Sequence, residues 1–350
     1  IGGYIGQING LGVIAFKDDL DNKIVNMDID INGNISTADT NNQNNIDTLN
    51  VGLLFGEKSS ATTLNFAGEN VAISGGIYIS ASDLTDYANN SYITNLNAGG
   101  IIGNLGAEGG MTVSGLGSVD VDIKRNNTTT DTNPIVVNGT ANVGLIAGLT
   151  QNSFQLTSTV STSIGNNNNY ILIQNNSTSS NTNIGALIGS VQQQDTSIDG
   201  IFETNVNINV SGTTASANVG GFVGLVGGAN GTNAKLSIKS TSYSTSNVQV
   251  TSNIGNINFG GILGYANGLS GGSASSPDIL INKTIFGGKL DITGANSEGG
   301  NIIAGGTIGA ITAGTSTVID LQNNYNYGDV FVNYDENLNF NSLSKYYFGG

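Results

Sequence analysis

The sequence predicts an all-β protein, a right-handed parallel β-helix of about eight coils that runs through residues 1–350 as one continuous β-solenoid. Three observations predict this fold class. A glycine frame recurs at a nearly constant spacing, segments between the frames alternate apolar and polar residues, and no amphipathic helix pattern of useful length occurs. Such fixed-period similarity is typical of stacked repeats, in which one solenoid replaces several globular domains.

The frame Gly-x-x-x-Gly occurs eight times, and Gly349 with Gly350 begins a ninth. Successive first glycines are 50, 47, 45, 41, 35, 40, 45 and 44 residues apart. The frames are Gly2/Gly6, Gly52/Gly56, Gly99/Gly103, Gly144/Gly148, Gly185/Gly189, Gly220/Gly224, Gly260/Gly264 and Gly305/Gly309. We expect the length differences to fall in loops, because the strand registers of neighbouring coils must match.

Each repeat contains three strand-like segments. The first is the frame itself, the second is a short apolar segment such as Leu236-Ser-Ile238, and the third alternates, as in Val206, Ile208 and Val210. Glycine, asparagine and serine between the segments are turn residues. Three strands and three turns fit one coil per repeat, and two thinner coils per repeat are the alternative.

An asparagine stands two residues before the first frame glycine in six repeats. These residues are Asn50, Asn97, Asn142, Asn183, Asn218 and Asn258, and Ile303 breaks the series. Stacked coils would place the amides above one another, so that each donates a hydrogen bond to the next, as in cross-β asparagine ladders. The alternative is that asparagine only supplies the turn geometry before a strand.

Both faces of the frame are small or apolar. In a single strand Gly220, Phe222 and Gly224 would share one face, whereas a strand with one wet face alternates apolar and polar residues. We therefore predict an assembly face covered by a second copy or a capping segment; the alternative is that glycine merely thins the outer face. The predicted face comprises Gly52, Gly56, Gly99, Gly103, Gly144, Gly148, Gly185, Gly189, Gly220, Phe222, Gly224, Gly260, Gly264, Gly305 and Gly309.

Composition narrows the range of binding partners that we expect. With 25 acidic and 10 basic residues the formal charge is −15, so nucleic acid, which needs clustered cations, is not an expected partner. The chain has no cysteine and no histidine, which removes disulfides, thiolate metal sites and the commonest general base. No run of 18 apolar residues occurs, so we expect no membrane insertion.

One segment resembles a calcium-binding loop. Asp28, Asp30 and Asn32 occupy positions 1, 3 and 5, Gly33 position 6 and Asp39 position 12 of an EF-hand-like pattern. Calcium is the one cofactor that the sequence suggests. The alternative is that Asp28 and Asp30 alternate with apolar residues in the third strand of a coil.

The remaining acidic residues do not predict catalysis. A polysaccharide-cleaving site needs paired carboxylates or a calcium cluster with a basic residue. The compact mixed cluster is Asp120 and Asp122 with Lys124-Arg125, for which a solvated loop is the simpler interpretation. We predict no enzyme and no catalytic residues. The other acids considered are Asp18, Asp19, Asp21, Asp335 and Glu336.

The repeats resemble a known family. Gly-Gly-apolar-apolar-Gly occurs at 220–224 and 260–264, and Asn324-Tyr-Asn-Tyr-Gly-Asp-Val330 provides an Asn-Tyr-x-x-Gly-x-Val stretch. This pair of motifs is similar to GLUG-type repeats of large bacterial and protist surface proteins and adhesins. The resemblance implies an extracellular β-helical repeat protein with no catalytic residues to transfer. Because the chain opens and closes in mid-pattern, we expect it to be a window of a longer repeat protein.

These observations lead to two functional expectations. The first is a structural extracellular protein that self-assembles as a homo-oligomer into a filament, sheath or surface coat through its strand edges and its assembly face. The second is an adhesin at the cell surface whose loops bind a host protein or glycan. The expected aromatic contacts of the adhesin are Tyr325, Tyr327, Tyr334, Tyr346 and Tyr347.

Overall fold

The structure is a computed structural model, and it confirms the predicted fold class. It describes residues 1–8, 13–16, 23–33, 46–81, 93–126, 133–166, 168–239, 242–251, 255–293, 301–314, 316–333 and 345–349. These residues form a parallel β-helix with no helical segment. Within these ranges no helix has the length and apolar character of a membrane span.

The strands follow one another in a repeating order. The first repeats contain β1 (Ile5–Ile8), β2 (Val13–Phe16), β3 (Ile24–Gly33), β4 (Ile46–Gly52), β5 (Phe55–Lys58), β6 (Thr63–Ala81), β7 (Ile93–Gly99), β8 (Ile102–Leu105), β9 (Met111–Lys124), β10 (Ile135–Val137), β11 (Ala141–Gly144) and β12 (Ala147–Thr150). The middle repeats contain β13 (Phe154–Ile164), β14 (Tyr170–Asn175), β15 (Asn181–Gly185), β16 (Ile188–Val191), β17 (Asp195–Thr204), β18 (Asn207–Gly212), β19 (Ser216–Gly220), β20 (Val223–Thr232), β21 (Lys235–Lys239), β22 (Ser242–Ser244) and β23 (Asn247–Thr251). The last repeats contain β24 (Asn256–Gly260), β25 (Leu263–Leu269), β26 (Ile279–Asn282), β27 (Thr284–Phe286), β28 (Lys289–Thr293), β29 (Asn301–Gly305), β30 (Ile308–Ala313), β31 (Ile319–Gln322), β32 (Tyr325–Asn326), β33 (Asp329–Asn333) and β34 (Lys345–Gly349).

The register shows that one repeat makes one coil. First frame glycines pair with first frame glycines of the next repeat, and the described strands β1, β5, β8, β12, β16, β20, β25 and β30 form one parallel sheet of eight. The remaining described strands form a second, larger sheet. The glycine pairs include Gly2–Gly52, Gly52–Gly99, Gly99–Gly144, Gly185–Gly220, Gly220–Gly260, Gly260–Gly305 and Gly305–Gly349. Two thinner coils per repeat would pair residues half a repeat apart, so that alternative is wrong.

The frame is two strands rather than the single strand predicted. In the repeat that begins at residue 216, β19 ends at Gly220 and β20 begins at Val223 in the other sheet. The two residues between them form a bend. The described part of residues 216–251 accordingly contains five strands, β19 to β23, where the sequence predicted three.

The core consists of columns of apolar side chains that repeat from coil to coil. Val143, Ile184 and Val219 are partners in successive strands and are fully buried. Full burial of one such side chain contributes roughly 1.5–3 kcal/mol to stability. The alternating segments behave as predicted, since Ile208 and Val210 of β18 are buried while the residues between and beside them are not.

The bend of each frame excludes side chains. A Cβ atom on Gly220 would lie 1.9 Å from the carbonyl oxygen of Val223. A Cβ atom on Gly224 would lie 2.5 Å from the backbone nitrogen of Ile184 in the preceding coil. Because backbone atoms cannot move aside as a flexible side chain can, only glycine fits at positions 220 and 224.

We expect Gly224→Ala to lower the free energy of unfolding by roughly 1–3 kcal/mol or more, because the added methyl group overpacks a backbone contact. Gly6→Ala is the matched control at the same frame position in the first coil, where a Cβ atom would meet nothing within 4 Å. We expect it to leave stability unchanged or raise it by up to about 1 kcal/mol. Urea unfolding followed by circular dichroism measures both changes, and equal effects would contradict the frame geometry.

Candidate functional site

The asparagines before the frames form a continuous hydrogen-bonded ladder. Each Nδ2 donates to the Oδ1 of the asparagine one coil earlier, as in Asn183 to Asn142 at 2.8 Å and Asn218 to Asn183 at 2.7 Å. The other members are Asn97 to Asn50, Asn142 to Asn97 and Asn258 to Asn218, each at 2.8 Å. From Asn97 to Asn258 the ladder is buried, so its amides take part in the packing of the coils rather than in an exposed turn.

The predicted assembly face is not a surface of the molecule. Every frame glycine from Gly52 to Gly264 is buried within the single chain, and Phe222 is fully buried. The prediction was wrong because it treated the frame as one straight strand with two faces. The bend instead turns each frame onto the backbone of its own coil and of the neighbouring coils. Gly305 and Gly309, in the last coil, are only partly buried.

The calcium-loop residues lie on a strand. Asp28, Asp30 and Asn32 belong to β3, which is paired in parallel with β6 over ten residues. Alternate residues of a strand point to one face and lie about 6.6 Å apart, so Asp28 and Asp30 occupy strand positions, as the alternative interpretation predicted. Asp39 lies outside the described residues. In the part of the chain that the structure describes, no group of three or more acidic residues is arranged to hold a metal.

The structure brings two pairs of acidic residues, Asp28 with Asp30 and Asp120 with Asp122, to one outer face of the β-helix. Asp28 pairs with Gly76, and Gly76 pairs with Asp122 one coil further on. The ring of Tyr78 lies over Gly76, where a Cβ atom would be 2.1 Å from its Cζ. Burial raises the pKa of Tyr78, and Asp122, Asp28 and Asp30 add to the effect because a phenolate would face their negative charge.

The acids of the mixed cluster are held in structural contacts. Asp122 forms an ion pair of 2.9 Å with Lys124 and accepts a hydrogen bond of 2.9 Å from the backbone N–H of Tyr170. Asp120 accepts one of 3.1 Å from Asn166 Nδ2. These contacts tie the cluster to the next coil. Asp18, Asp19, Asp21, Asp335 and Glu336 lie outside the described residues.

The Asn-Tyr segment joins the last two described coils. Asn324 Oδ1 accepts hydrogen bonds from the backbone N–H of Thr284 at 3.0 Å and from its Oγ1 at 2.8 Å. Its Nδ2 donates to the carbonyl oxygen of Ile281 at 2.9 Å. The asparagine of this segment therefore fixes the turn of the preceding coil, which is a structural role rather than a binding role.

The tyrosines predicted as adhesive contacts are largely exposed. The exposed fraction is 70% for Tyr325, 60% for Tyr327 and 51% for Tyr347. The hydroxyl of Tyr327 forms a hydrogen bond with that of Tyr243 two coils away, which raises the pKa of Tyr243 to about 12. Tyr346 lies on β34, and Tyr334 lies outside the described residues.

Sequence analysis missed one buried cation. Lys58 is fully buried, and its Nζ donates to the carbonyl oxygens of Ser60 at 2.7 Å and Glu108 at 2.6 Å. Burial lowers the pKa of Lys58, and the charge of Glu108 partly opposes this. The lysine follows the second frame glycine by two residues, as the buried Ile8 and Leu105 do. An alignment of the frames would have shown that Lys58 stands at the same position as Ile8 and Leu105.

Comparisons with protein-family models, with curated proteins and with solved structures gave no match. The resemblance to GLUG-type repeats therefore stays a prediction that rests on the residues of this chain.

Removal of one ladder amide should strongly destabilise the stack. Asn183→Ala leaves Asn142 Oδ1 and Asn218 Nδ2 without their partner, and we expect a loss of roughly 2 kcal/mol or more in the free energy of unfolding. Asn209→Ala is the control, since the bond from Asn209 to Gln249 is exposed, and it should change stability by about 0.5 kcal/mol or less. Similar urea midpoints for the two variants would argue against a buried ladder.

Lys58 and Tyr78 should make the free energy of unfolding depend on pH in the alkaline range. Because the folded pKa of Lys58 is lowered, the unfolded chain binds more protons, and stability rises with pH towards the unfolded pKa of about 10.4. The raised pKa of Tyr78 has the opposite consequence, so its contribution falls above about pH 10.

Lys58→Met isolates the lysine contribution. We expect the slope of the unfolding free energy between about pH 8 and about pH 10 to be lower in the variant than in the native sequence. The comparison uses the slope, so a general loss of stability in the variant does not affect it. An unchanged slope would show that Lys58 keeps its ordinary pKa in the folded protein.

Proposed function

We propose that this chain is a structural part of an extracellular filament, sheath or surface coat and that it assembles end to end with copies of itself. The supporting observation is the apolar surface of the last described coil. Leu321 is 48% exposed, whereas its partner one coil earlier, Ile281, is fully buried. Val330 is 43% exposed above the fully buried Leu290. Within the part of the chain that the structure describes, these two core columns are open to solvent at Leu321 and Val330.

The backbone groups of the last described coil also favour a second copy of the chain as the partner. Among the described strands, β30, β31 and β33 each pair with a strand of the preceding coil on one side only. A strand edge with free N–H and C=O groups is a template for another parallel strand. The first coil of a copy has the matching form, because Gly2 pairs with Gly52 in the same frame register in which Gly305 pairs with Gly349.

A further coil of the same chain would cover this surface in the same way. Coverage by a further coil and coverage by a second copy can be distinguished in solution, because only the contact between copies depends on protein concentration. The extracellular location rests on the GLUG resemblance alone. The adhesin is a second proposal, and a groove lined by serine, lysine and aspartate residues in the middle of the described chain favours it.

A charge in the end coil should block assembly of the chain of residues 1–350. We expect Val330→Lys to abolish concentration-dependent growth, because the ammonium group would be buried in the apolar contact between copies. Val160→Lys is the matched control in the middle of the rod, where Val160 is 41% exposed on β13. Sedimentation velocity and negative-stain microscopy measure the growth.

Two results would contradict end-to-end assembly. One is a strictly monomeric native chain at high concentration. The other is equal assembly by the native, Val330→Lys and Val160→Lys proteins, which would place the contact elsewhere. Circular dichroism of each variant checks that the β-helix is intact before assembly is compared.

A further inference from the structure

A groove with a volume of about 360 Å³, lined by both polar and apolar groups, crosses the outer face of four successive coils. Its floor is a column of side chains on β13, β17, β21 and β26, which are paired in parallel. The floor residues are Gln155, Ser197, Ser237 and Leu280, each the register partner of the next. Rungs of about 4.8 Å therefore place the polar groups of Gln155, Ser197 and Ser237 at regular intervals, and Leu280 occupies the fourth position.

Charged residues flank the floor on both sides. Two residues before Ser197 and Ser237, Asp195 pairs with Lys235 in register, and two residues after them, Asp199 pairs with Lys239. Alternate residues of a strand share a face, so all of these positions lie on the outer face of the coil. An acid and a base therefore stand on each side of the two floor serines, Ser197 and Ser237.

A loop of the next coil covers one end of the groove. Lys235 Nζ donates to Ser276 Oγ at 2.8 Å, which connects the groove wall to this loop. The backbone groups of Ser273 and Ser276 form two hydrogen bonds of 2.9 and 3.0 Å that hold the loop in a tight turn. Ser275 and Pro277 complete the lining. The groove is thus built from ordered elements on several coils.

Several polar groups in the groove have unused hydrogen-bonding capacity. Ser237 Oγ is buried and has no hydrogen-bond partner. Within the part of the chain that the structure describes, the side chains of Asp195 and Lys239 take part in no hydrogen bond or ion pair. A ligand hydroxyl that reaches Ser237 Oγ would give this group the partner that it lacks.

We propose that this groove binds a polyhydroxylated anion, one acidic sugar unit of a glycan. The ammonium groups of Lys235 and Lys239 match a sugar carboxylate, and charge-assisted hydrogen bonds of this kind are about twice as strong as neutral ones. Asp195, Ser197 and Gln155 match the sugar hydroxyls. No lining residue is aromatic, so recognition depends on charge and hydrogen bonds rather than on stacking.

Titration of the chain with sodium glucuronate tests the proposal. Glucose and sodium acetate are the comparison probes, because each carries only half of the recognised chemistry. Two-dimensional NMR of the amide groups locates binding, and we expect saturable shifts in β13, β17, β21 and β26. The apparent affinity for glucuronate should exceed that for glucose and for acetate by about tenfold or more.

Variants connect this binding to the groove. Lys239→Met and Asp195→Asn change exposed side chains and should each weaken glucuronate binding by about tenfold. Lys289→Met is the matched control, since Lys289 is paired with Asp291 at 3.0 Å and does not line the groove, and it should bind as the native chain does.

Three results would overturn the proposal. Equal binding of acetate would show a general anion site, and equal binding of glucose would show that the lysines are not used. Unchanged glucuronate binding by Lys239→Met and Asp195→Asn would place the ligand elsewhere. Val330→Lys should bind glucuronate as the native chain does, so failure of this site and failure of end-to-end assembly are separate outcomes.

Discussion

The bend of each glycine frame brings two backbones into contact, and the rest of the structure depends on this contact. Gly220 lies against the carbonyl of Val223 in its own coil, and Gly224 lies against Ile184 and Gly189 of the coil before. A single methyl group at either position would separate the strands. Because every coil turns at the same place with the same geometry, the next coil can stack on it in parallel register. The frame therefore acts as the corner of the solenoid and offers no face for a partner.

Stacking in register turns each position of the repeat into a column, with favourable and unfavourable consequences. The asparagine column satisfies its own amides over six coils, which is the best use of a buried polar group. The same rule buries Lys58 in a column that also contains Ile8, Leu105 and Thr150, and among the described residues the carbonyl oxygens of Ser60 and Glu108 accept its hydrogen bonds. Stacking in register also places Gly76, with the ring of Tyr78 over it, between Asp28 and Asp122. The two carboxylates are therefore kept apart.

The sequence was sufficient for the fold class, the frame register and the positions of the ladder asparagines, because these recur at the repeat spacing itself. The bend was not predictable from alternation, since both strands of the frame are apolar. The groove was not predictable either. Asp195 follows Gly185 by ten residues, whereas Lys235 follows Gly220 by fifteen. Their pairing depends on loop lengths between frame and outer strand, and local propensity does not encode those lengths.

The proposed contact between copies and the proposed groove both depend on one coil per repeat. Gln7 and Tyr265 lie in one column through Glu57, Asn104, Leu149, Ser190 and Leu225. Because the chain has no cysteine, Gln7→Cys and Tyr265→Cys allow two spin labels to be placed. Pulsed electron paramagnetic resonance should give a narrow distance distribution near about 29 Å, six rungs of 4.8 Å. A distance near about 58 Å, or a broad distribution, would contradict a single coil per repeat.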